Sequence, residues 1–539
     1  MKSRWAVVAA AALALLTATV VVRTGLWSRP LSMDNRFYFY MSERAASGVA
    51  PHVSSPDVKT QLSTLADAAS ISLGRAAGLD DVRAGRIGTL LYLIVGIWGI
   101  GLSVYALGTT GGAAAIAALS VLSFSNLAGH TAVGFNPKIL LFTFLAWGPW
   151  LVARGRFAWA GAAASLAMLC WQPAAAACVA TALGALAGTS RLRALAATIA
   201  GGVAAFVLYH AYFAWHGALA AQLFQSWALP LGSVREDAVD WLSGARFVIF
   251  GFDHGVDRFG IPGISFVLFV LGGIAALVGV RVPAAGRTAA PPAAVILVLV
   301  AGSLMCWFSA YEHQAEPDRF LLIAYFAVAI GVVADRVVTW VRTRIHERTS
   351  YQLEGALLAL LLTFTPRSEF TKTAPADTLD GQLEAAGIVA MASEAYGSVW
   401  AYGCIHLLGL AHLTNYHPVE HFWDDLRRYV DETTFEPRVH GRLPDVILRC
   451  QRLPGRAELL EPYTLIRTPG LAERAGLFVR TSALASSAAE RKKAAPRAFA
   501  KSPHSPKSPK PPQPQKLSNS SKPPQPPPAP RGESPPKRL

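Results

Sequence analysis

Apolar stretches approaching the ~20 residues that span a hydrocarbon core recur from the N-terminus to about residue 365. Met1 to Val22 has a basic start, Lys2 and Arg4, and a long Ala/Val/Leu core with no clear small-x-small cleavage site after it, so an uncleaved first helix is expected. Further spans fall near 87–107, 112–125, 138–153, 158–171, 174–188, 194–213, 262–280, 288–308, 320–340 and 352–365, about eleven crossings in all. Ala158 to Leu186 would be about 43 Å as one helix, too long for a single span, and Trp171-Gln172-Pro173 supplies the break between two short ones.

The charges between the spans set the orientation. Arg154 and Arg156, Arg191 and Arg193, Arg281 and Arg287, and Arg342, Arg344 and Arg348 all fall on the side shared with Lys2 and Arg4, which the positive-inside rule places in the cytoplasm. Three outer regions result: a first loop over 24–86, a second over about 214–261, and everything after about 366. If the short run Gly355 to Thr365 is not a span, that last region moves inside. Within the first loop Val58 to Leu79 suits helices lying along the interface.

The expected fold class is therefore an α-helical polytopic membrane protein with a long first outer loop, a small C-terminal α/β domain and a disordered tail. The domain limits are 1–365 for the membrane body, 366–482 for the small extracytoplasmic domain and 483–539 for the tail. Val399-Trp400-Ala401-Tyr402-Gly403 and Val446-Ile447-Leu448 are expected to be buried strands, with an amphipathic helix over Pro418 to Val430 between them.

Composition supports the membrane class: 53% of the 539 residues are hydrophobic and only 15% charged, against about 25% charged in soluble domains. The net charge of +15 suggests nucleic acid until it is located. About ten of those charges lie in the Lys/Pro/Ser-rich tail after Ala489, which cannot bury enough apolar surface to order itself, so no nucleic-acid partner is expected. Of the five cysteines, Cys170, Cys178 and Cys306 lie in apolar runs, whereas Cys404 and Cys450 share the late region and could pair if it faces an oxidising compartment.

The candidate chemistry is at the outer boundary. Asp34 opens the run Asp34-Asn35-Arg36-Phe37-Tyr38-Phe39-Tyr40 just past the first span. A carboxylate there loses some hydration and gains basicity, which suits a proton acceptor, although capping a helix is an equally ordinary use. Lys59 and Arg319 are the cations able to hold a phosphate, and each could instead anchor the chain at the headgroups. His130, Asn136 and Lys138 form another outer polar loop, and Gln172 beside Trp171 offers an amide next to an aromatic face. His52, His254, Asp253 and Asp257 have no diagnostic ligand spacing, so no obligatory metal or other cofactor is expected. Phosphate-cradling loops, dinucleotide-binding glycine patterns and Ser nucleophile elbows are absent, which disfavours a nucleotide-driven enzyme.

Over roughly residues 1 to 345 these features resemble the GT-C superfamily of membrane glycosyltransferases, in particular bacterial relatives of protein O-mannosyltransferases and aminoarabinose transferases. The likeness rests on Asp34, Tyr38, Gly48, Pro51, Lys59 and Arg86 and on Arg319-Phe320-Leu321-Leu322. Asn35, Thr60-Gln61 and Asn136-Pro137 depart from the pattern, the last standing where many relatives carry a second carboxylate. The resemblance implies inverting transfer of a sugar from an outward-facing polyprenyl phosphate, with Asp34 as catalytic base and Lys59 and Arg319 on the donor phosphate. Tyr38, His130, Asn136, Lys138 and Gln172 are then candidate substrate contacts. Asn136-Pro137-Lys138 with Cys170-Trp171-Gln172-Pro173 looks like a subgroup of mannosyltransferases, so mannose is the favoured hexose. The implied setting is multi-pass in the plasma membrane, with the bilayer, a polyprenyl-phosphate sugar and an extracytoplasmic acceptor as partners. A transporter or a catalytically silent envelope scaffold are the alternatives, and sparse charge within the spans counts against the transporter.

Overall fold

The computed structural model describes residues 2–32, 34–123, 127–232, 292–309, 320–344, 349, 352–353, 355–356, 378–419, 435–451, 457–466 and 476–494. Contacts divide the chain into a unit Met1–Ser487 and a second unit Ala488–Leu539. The second is described only to Ala494, where it is helical, so the expected boundary at 482 falls inside a helix, Thr481–Ala494.

The first unit opens with α1 (Lys2–Arg23), followed by α2 (Asp34–Ala46), α3 (Leu62–Ala76), α4 (Asp81–Ala106), α5 (Gly111–Ser123), α6 (Leu127–Val133), α7 (Pro137–Ala153), α8 (Phe157–Cys170), α9 (Ala175–Leu186) and α10 (Arg191–Trp215). Short turns of helix follow at Leu219–Leu223, Phe224–Ala228, which is a π turn, and Leu229–Gly232. Then come α11 (Pro292–Ser309) and α12 (Phe320–Arg344). Among the described residues, α4, α10 and α12 are long and apolar enough to cross a membrane, and α5 with α6, bent by 60°, could make a fourth span. Five shorter apolar helices accompany them, including α7, α8 and a Gln172–Leu186 stretch that takes in α9. The expected spans near 262–280 and over most of 352–365 lie outside the described residues.

Local chemistry explains the helix limits. Asp80 caps α4 by accepting from the Arg83 N–H at 2.9 Å, with Asp81 in the first turn where negative charge suits the helix dipole. The predicted break after α8 is present: Trp171 is extended, Gln172–Ala174 forms a 3-10 turn, and Pro173 cannot donate to a continuing helix. Small residues let the helices approach. A Cβ on Gly161 would lie 1.9 Å from Thr198 O, and one on Gly201 would lie 1.8 Å from Ala158 O, so α8 and α10 meet backbone to backbone.

The late region carries a four-stranded sheet: β1 (Val399–Tyr402), β2 (Val446–Arg449), β3 (Tyr463–Ile466) and β4 (Gly476–Arg480), in the order β1-β2-β4-β3. β1 and β2 pair in parallel, and β4 is antiparallel to both β2 and β3. The two expected strands are the parallel pair, buried on both faces and hence continuously apolar. The helix expected over Pro418 to Val430 lies mostly outside the described residues. Two helices, α13 (Leu379–Tyr396) and α14 (Ile405–Leu410), cover the sheet, and Cys404 and Cys450 are disulfide-bonded with Cα atoms 5.7 Å apart.

This region packs directly on α2 and on Leu31 just before it. Phe39, Tyr40 and Met41 of α2 share one core with Val399, Leu408 and Val446. Gln382 accepts from Leu31 N–H at 2.9 Å and donates to Leu31 O at 2.8 Å, while Asn415 N–H donates to the Tyr40 hydroxyl at 2.9 Å.

Candidate active site

Asp34 is the first residue of α2, and its side chain is 74% exposed. Lys59 enters from the loop between α2 and α3, with Nζ 3.6 Å from Asp34 Oδ2 and 5.5 Å from the centre of the Tyr38 ring, one helical turn after Asp34. The Lys59 side chain is only 25% exposed. Burial opposes its charge, but Tyr38, Asp34 and Asp57 together outweigh that and hold the ammonium above the ordinary lysine range. Tyr38 is pushed up by burial and then by Asp57, so its hydroxyl keeps its proton. A permanent cation beside an open carboxylate suits lysine to binding an anion and leaves proton acceptance to the aspartate.

A second carboxyl lies behind the pair. Asp57 is buried, and burial pushes it up to about 6 while Lys59 pulls the other way. Its oxygens accept from the Lys59 N–H at 3.3 Å and from the Gln61 amide. Thr60 and Gln61 tie the loop down by side chain: Thr60 Oγ1 donates to Met168 O at 3.1 Å and Gln61 Nε2 to Lys59 O at 3.0 Å. Gln61 N–H donates to the Tyr209 hydroxyl of α10 at 2.8 Å.

The other predicted residues divide into groups. Asn136 caps α7 by accepting from Lys138 N–H at 3.0 Å, and its Nδ2 lies 3.3 Å from His130 Nδ1. The Lys138 ammonium sits 4.2 Å from the centre of the Trp171 ring, a cation–π contact in a buried setting. His130 meets the Phe320 ring edge-on at 5.7 Å. Arg319 itself lies outside the described residues, as do His254, Asp253 and Asp257. Asn35 joins the groups, donating to Gly134 O at 2.5 Å directly beside Asp34. Gln172 donates to Val58 O at 2.6 Å and to Ser226 O at 2.8 Å, so its amide nitrogen secures the lysine segment.

Three further residues contribute: Arg86, which entered the sequence reading only through the resemblance, and Gln225 and Ser226, which did not enter it. Arg86 is fully buried and donates to Val133 O at 3.0 Å, to Leu26 O at 2.9 Å and to Arg29 O, lacing the start of α4 to the segment after α1 and to the end of α6. Gln225 and Ser226 come from the π turn after α10 and reach the Lys59 loop. No local motif marks Gln225 or Ser226, since their partners in this loop are more than 160 residues away.

Next to this cluster an apolar groove of about 850 Å³ runs between α3, α8 and α10, lined among others by Leu62, Leu65, Trp159, Leu166, Leu208 and Tyr212. Tyr209, whose hydroxyl accepts from Gln61 N–H, also lines it. Among the described residues one group could offer metal ligands, Glu43, Asp81 and His412, whose donor atoms lie within 4.8 Å of one another. A cation already stands there: Arg75 donates to Glu43 at 2.9 Å and to the two Asp81 oxygens at 2.8 and 2.7 Å. The expectation of no obligatory metal is untouched by this group, which acts as an ion-pair network between α2, α3, α4 and the sheet domain.

No protein-family model matches the chain, and a search of curated proteins finds no match. Solved structures do match. The chain is similar to ArnT from Cupriavidus metallidurans bound to undecaprenyl phosphate, with TM-score 0.55 and 13% identity over 89% of this chain and 98% of that one. The apo state of the same protein gives TM-score 0.54 and 12% identity over 90% and 99%. A lower likeness, TM-score 0.48, extends to the oligosaccharyltransferase of Archaeoglobus fulgidus, with 13% identity over 75% of this chain and 63% of that one.

Proposed function

Because the chain has the GT-C fold, we propose that it is a membrane glycosyltransferase that moves a hexose, mannose first among them, from a polyprenyl phosphate to an acceptor outside the cytoplasm. The observation that carries the reading is the Asp34 carboxylate 3.6 Å from the Lys59 ammonium, on a loop that is hydrogen-bonded through Gln61 to Tyr209, a residue lining the apolar groove. A donor with a charged phosphate and a long hydrocarbon tail matches both halves of that site, and the solved ArnT complex holds a lipid of this class.

The reaction follows from the groups available. The acceptor hydroxyl oxygen attacks the anomeric carbon from the face opposite the phosphate, and Asp34 takes its proton as the new C–O bond forms. The bond from the anomeric carbon to the phosphate oxygen breaks with its electron pair, releasing the polyprenyl phosphate. Lys59 stabilises the charge that develops on that oxygen, and Arg319 is proposed as its second cation. Attack from the opposite face inverts the anomeric centre. Lys138 over Trp171, with Asn136 and His130 beside it, offers cation, amide and aromatic faces suited to sugar hydroxyls.

The outer location has independent support. The Cys404–Cys450 bond belongs in an oxidising compartment, and the arginine pairs that begin α8 and α10 and close α12 lie at the other ends of the spans.

Purified protein in lipid, incubated with radiolabelled polyprenyl-phosphate mannose and an envelope fraction, tests the proposal. Asp34→Asn should lower turnover by roughly 10²–10⁴ without changing the protein's level in the membrane. Absence of transfer with mannose and with every other hexose donor would overturn it in favour of a carrier or scaffold.

A further inference from the structure

Lys59 has a flexible four-carbon stem, and Asp34, open to solvent and 3.6 Å away, is a weak constraint on where the ammonium rests. What restrains it more firmly is the root of the side chain. His52 adopts a left-handed backbone conformation, φ +66°, and is buried against the π turn Phe224–Ala228. Its Nδ1 lies 2.9 Å from Gln225 Oε1, while Gln225 Nε2 donates to His52 O at 3.1 Å and Gln225 Oε1 accepts from Asp57 N–H at 3.1 Å. Those three contacts agree on one amide orientation. They assign the ring proton to Nδ1 and leave Nε2 as an acceptor.

On that acceptor side stands Ser226. Its Oγ is 3.1 Å from His52 Nε2 and 3.1 Å from Lys59 O. The carbonyls on both sides of the lysine are therefore both held: Lys59 O by the Ser226 hydroxyl together with Gln61 Nε2, and Val58 O by Gln172, which also donates to Ser226 O. Burial depresses His52 to about 4, so the ring is neutral at physiological pH, and the single Ser226 hydroxyl proton is shared between His52 Nε2 and Lys59 O. A π turn is rare and tends to occur at functional sites, and this one presents Gln225 and Ser226 consecutively to the loop.

We propose that His52 and Ser226, aligned by Gln225, are positioning residues for Lys59, holding its main chain in the register from which the ammonium meets both Asp34 and the phosphate of a lipid donor. The phosphate half of this rests on the proposed function; the positioning half does not.

The experiment reads the lysine directly. In nanodiscs of phosphatidylethanolamine and phosphatidylglycerol, acetylation of Lys59 by a small amine reagent at fixed pH is followed by mass spectrometry in wild type, Ser226→Ala, Ser226→Thr and His52→Asn. The same samples are titrated with undecaprenyl phosphate. Ser226→Ala and His52→Asn should acetylate Lys59 several-fold faster and weaken the lipid phosphate by roughly tenfold to a hundredfold, while Ser226→Thr, which keeps the hydroxyl, stays near wild type. Unchanged Lys59 reactivity in both disrupting variants overturns the inference. So does an equal rise in all three variants together with a lower melting temperature, which marks mere loss of packing. If reactivity shifts as expected but no variant, nor wild type, binds undecaprenyl phosphate, the positioning stands and the donor assignment falls.

Discussion

Asp57 illustrates what burial does to one side chain. Its carboxyl is pushed from 3.8 to about 6, so the folded protein holds a proton that the unfolded chain has already lost between those values. Stability therefore falls as pH rises from about 4 through 6, and Asp57→Asn should flatten that part of a melting-temperature profile. Arg86 is the opposite case, a buried cation whose guanidinium serves three carbonyls. Arg86→Met leaves those acceptors buried and unmade, with an expected loss on the order of 3–5 kcal/mol in thermal unfolding. Asp34, Tyr38 and Lys59 were legible because polar groups beside a bilayer-length apolar run stand out without any structure. Asp57 looked like one more loop residue, since only the folded loop shows that it is buried and that Lys59 N–H and Gln61 point at it.

At the scale of elements, the break at Trp171–Pro173 and the parallel strands β1 and β2 could be read from local chemistry, a proline in one case and unbroken apolar runs in the other. β3 and β4 were not read: β3 is buried at one end only, and short strands resemble any apolar stretch until a partner defines them. The α8–α10 seam depends on glycine. Gly161→Ala would set a methyl against Thr198 O, forcing the helices apart at an expected cost of about 1–3 kcal/mol and widening the groove between them. Thermal stability in detergent and the affinity for a polyprenyl phosphate would report the two effects separately.

For the whole molecule, the sheet domain and the first loop act as one body through the Glu43–Arg75–Asp81–His412 network. His412 is raised chiefly by its hydrogen bond to Glu43, with burial opposing. A raised folded pKa means the histidine contributes stability below about 6.5, its unfolded value, and loses that contribution as pH rises through its folded one. Hydrogen exchange around 405–419, corrected for intrinsic rates, should show weaker protection at pH 9 than at pH 6, and His412→Gln should remove the difference. The disulfide should matter as well. With the cysteines 46 positions apart in sequence, Cys404→Ser is expected to cost about 2–4 kcal/mol, read as a lower melting temperature that reductant reproduces in wild type. By itself the sequence determined the helical membrane class and set the polar cluster just past the first apolar run, because burial in lipid writes itself into composition over every twenty residues. The tertiary structure alone decided which distant groups serve the lysine: Gln172, Gln225 and Ser226 reach it across more than a hundred residues. A hydrogen bond depends on sub-ångström placement of two side chains, and no local pattern encodes that.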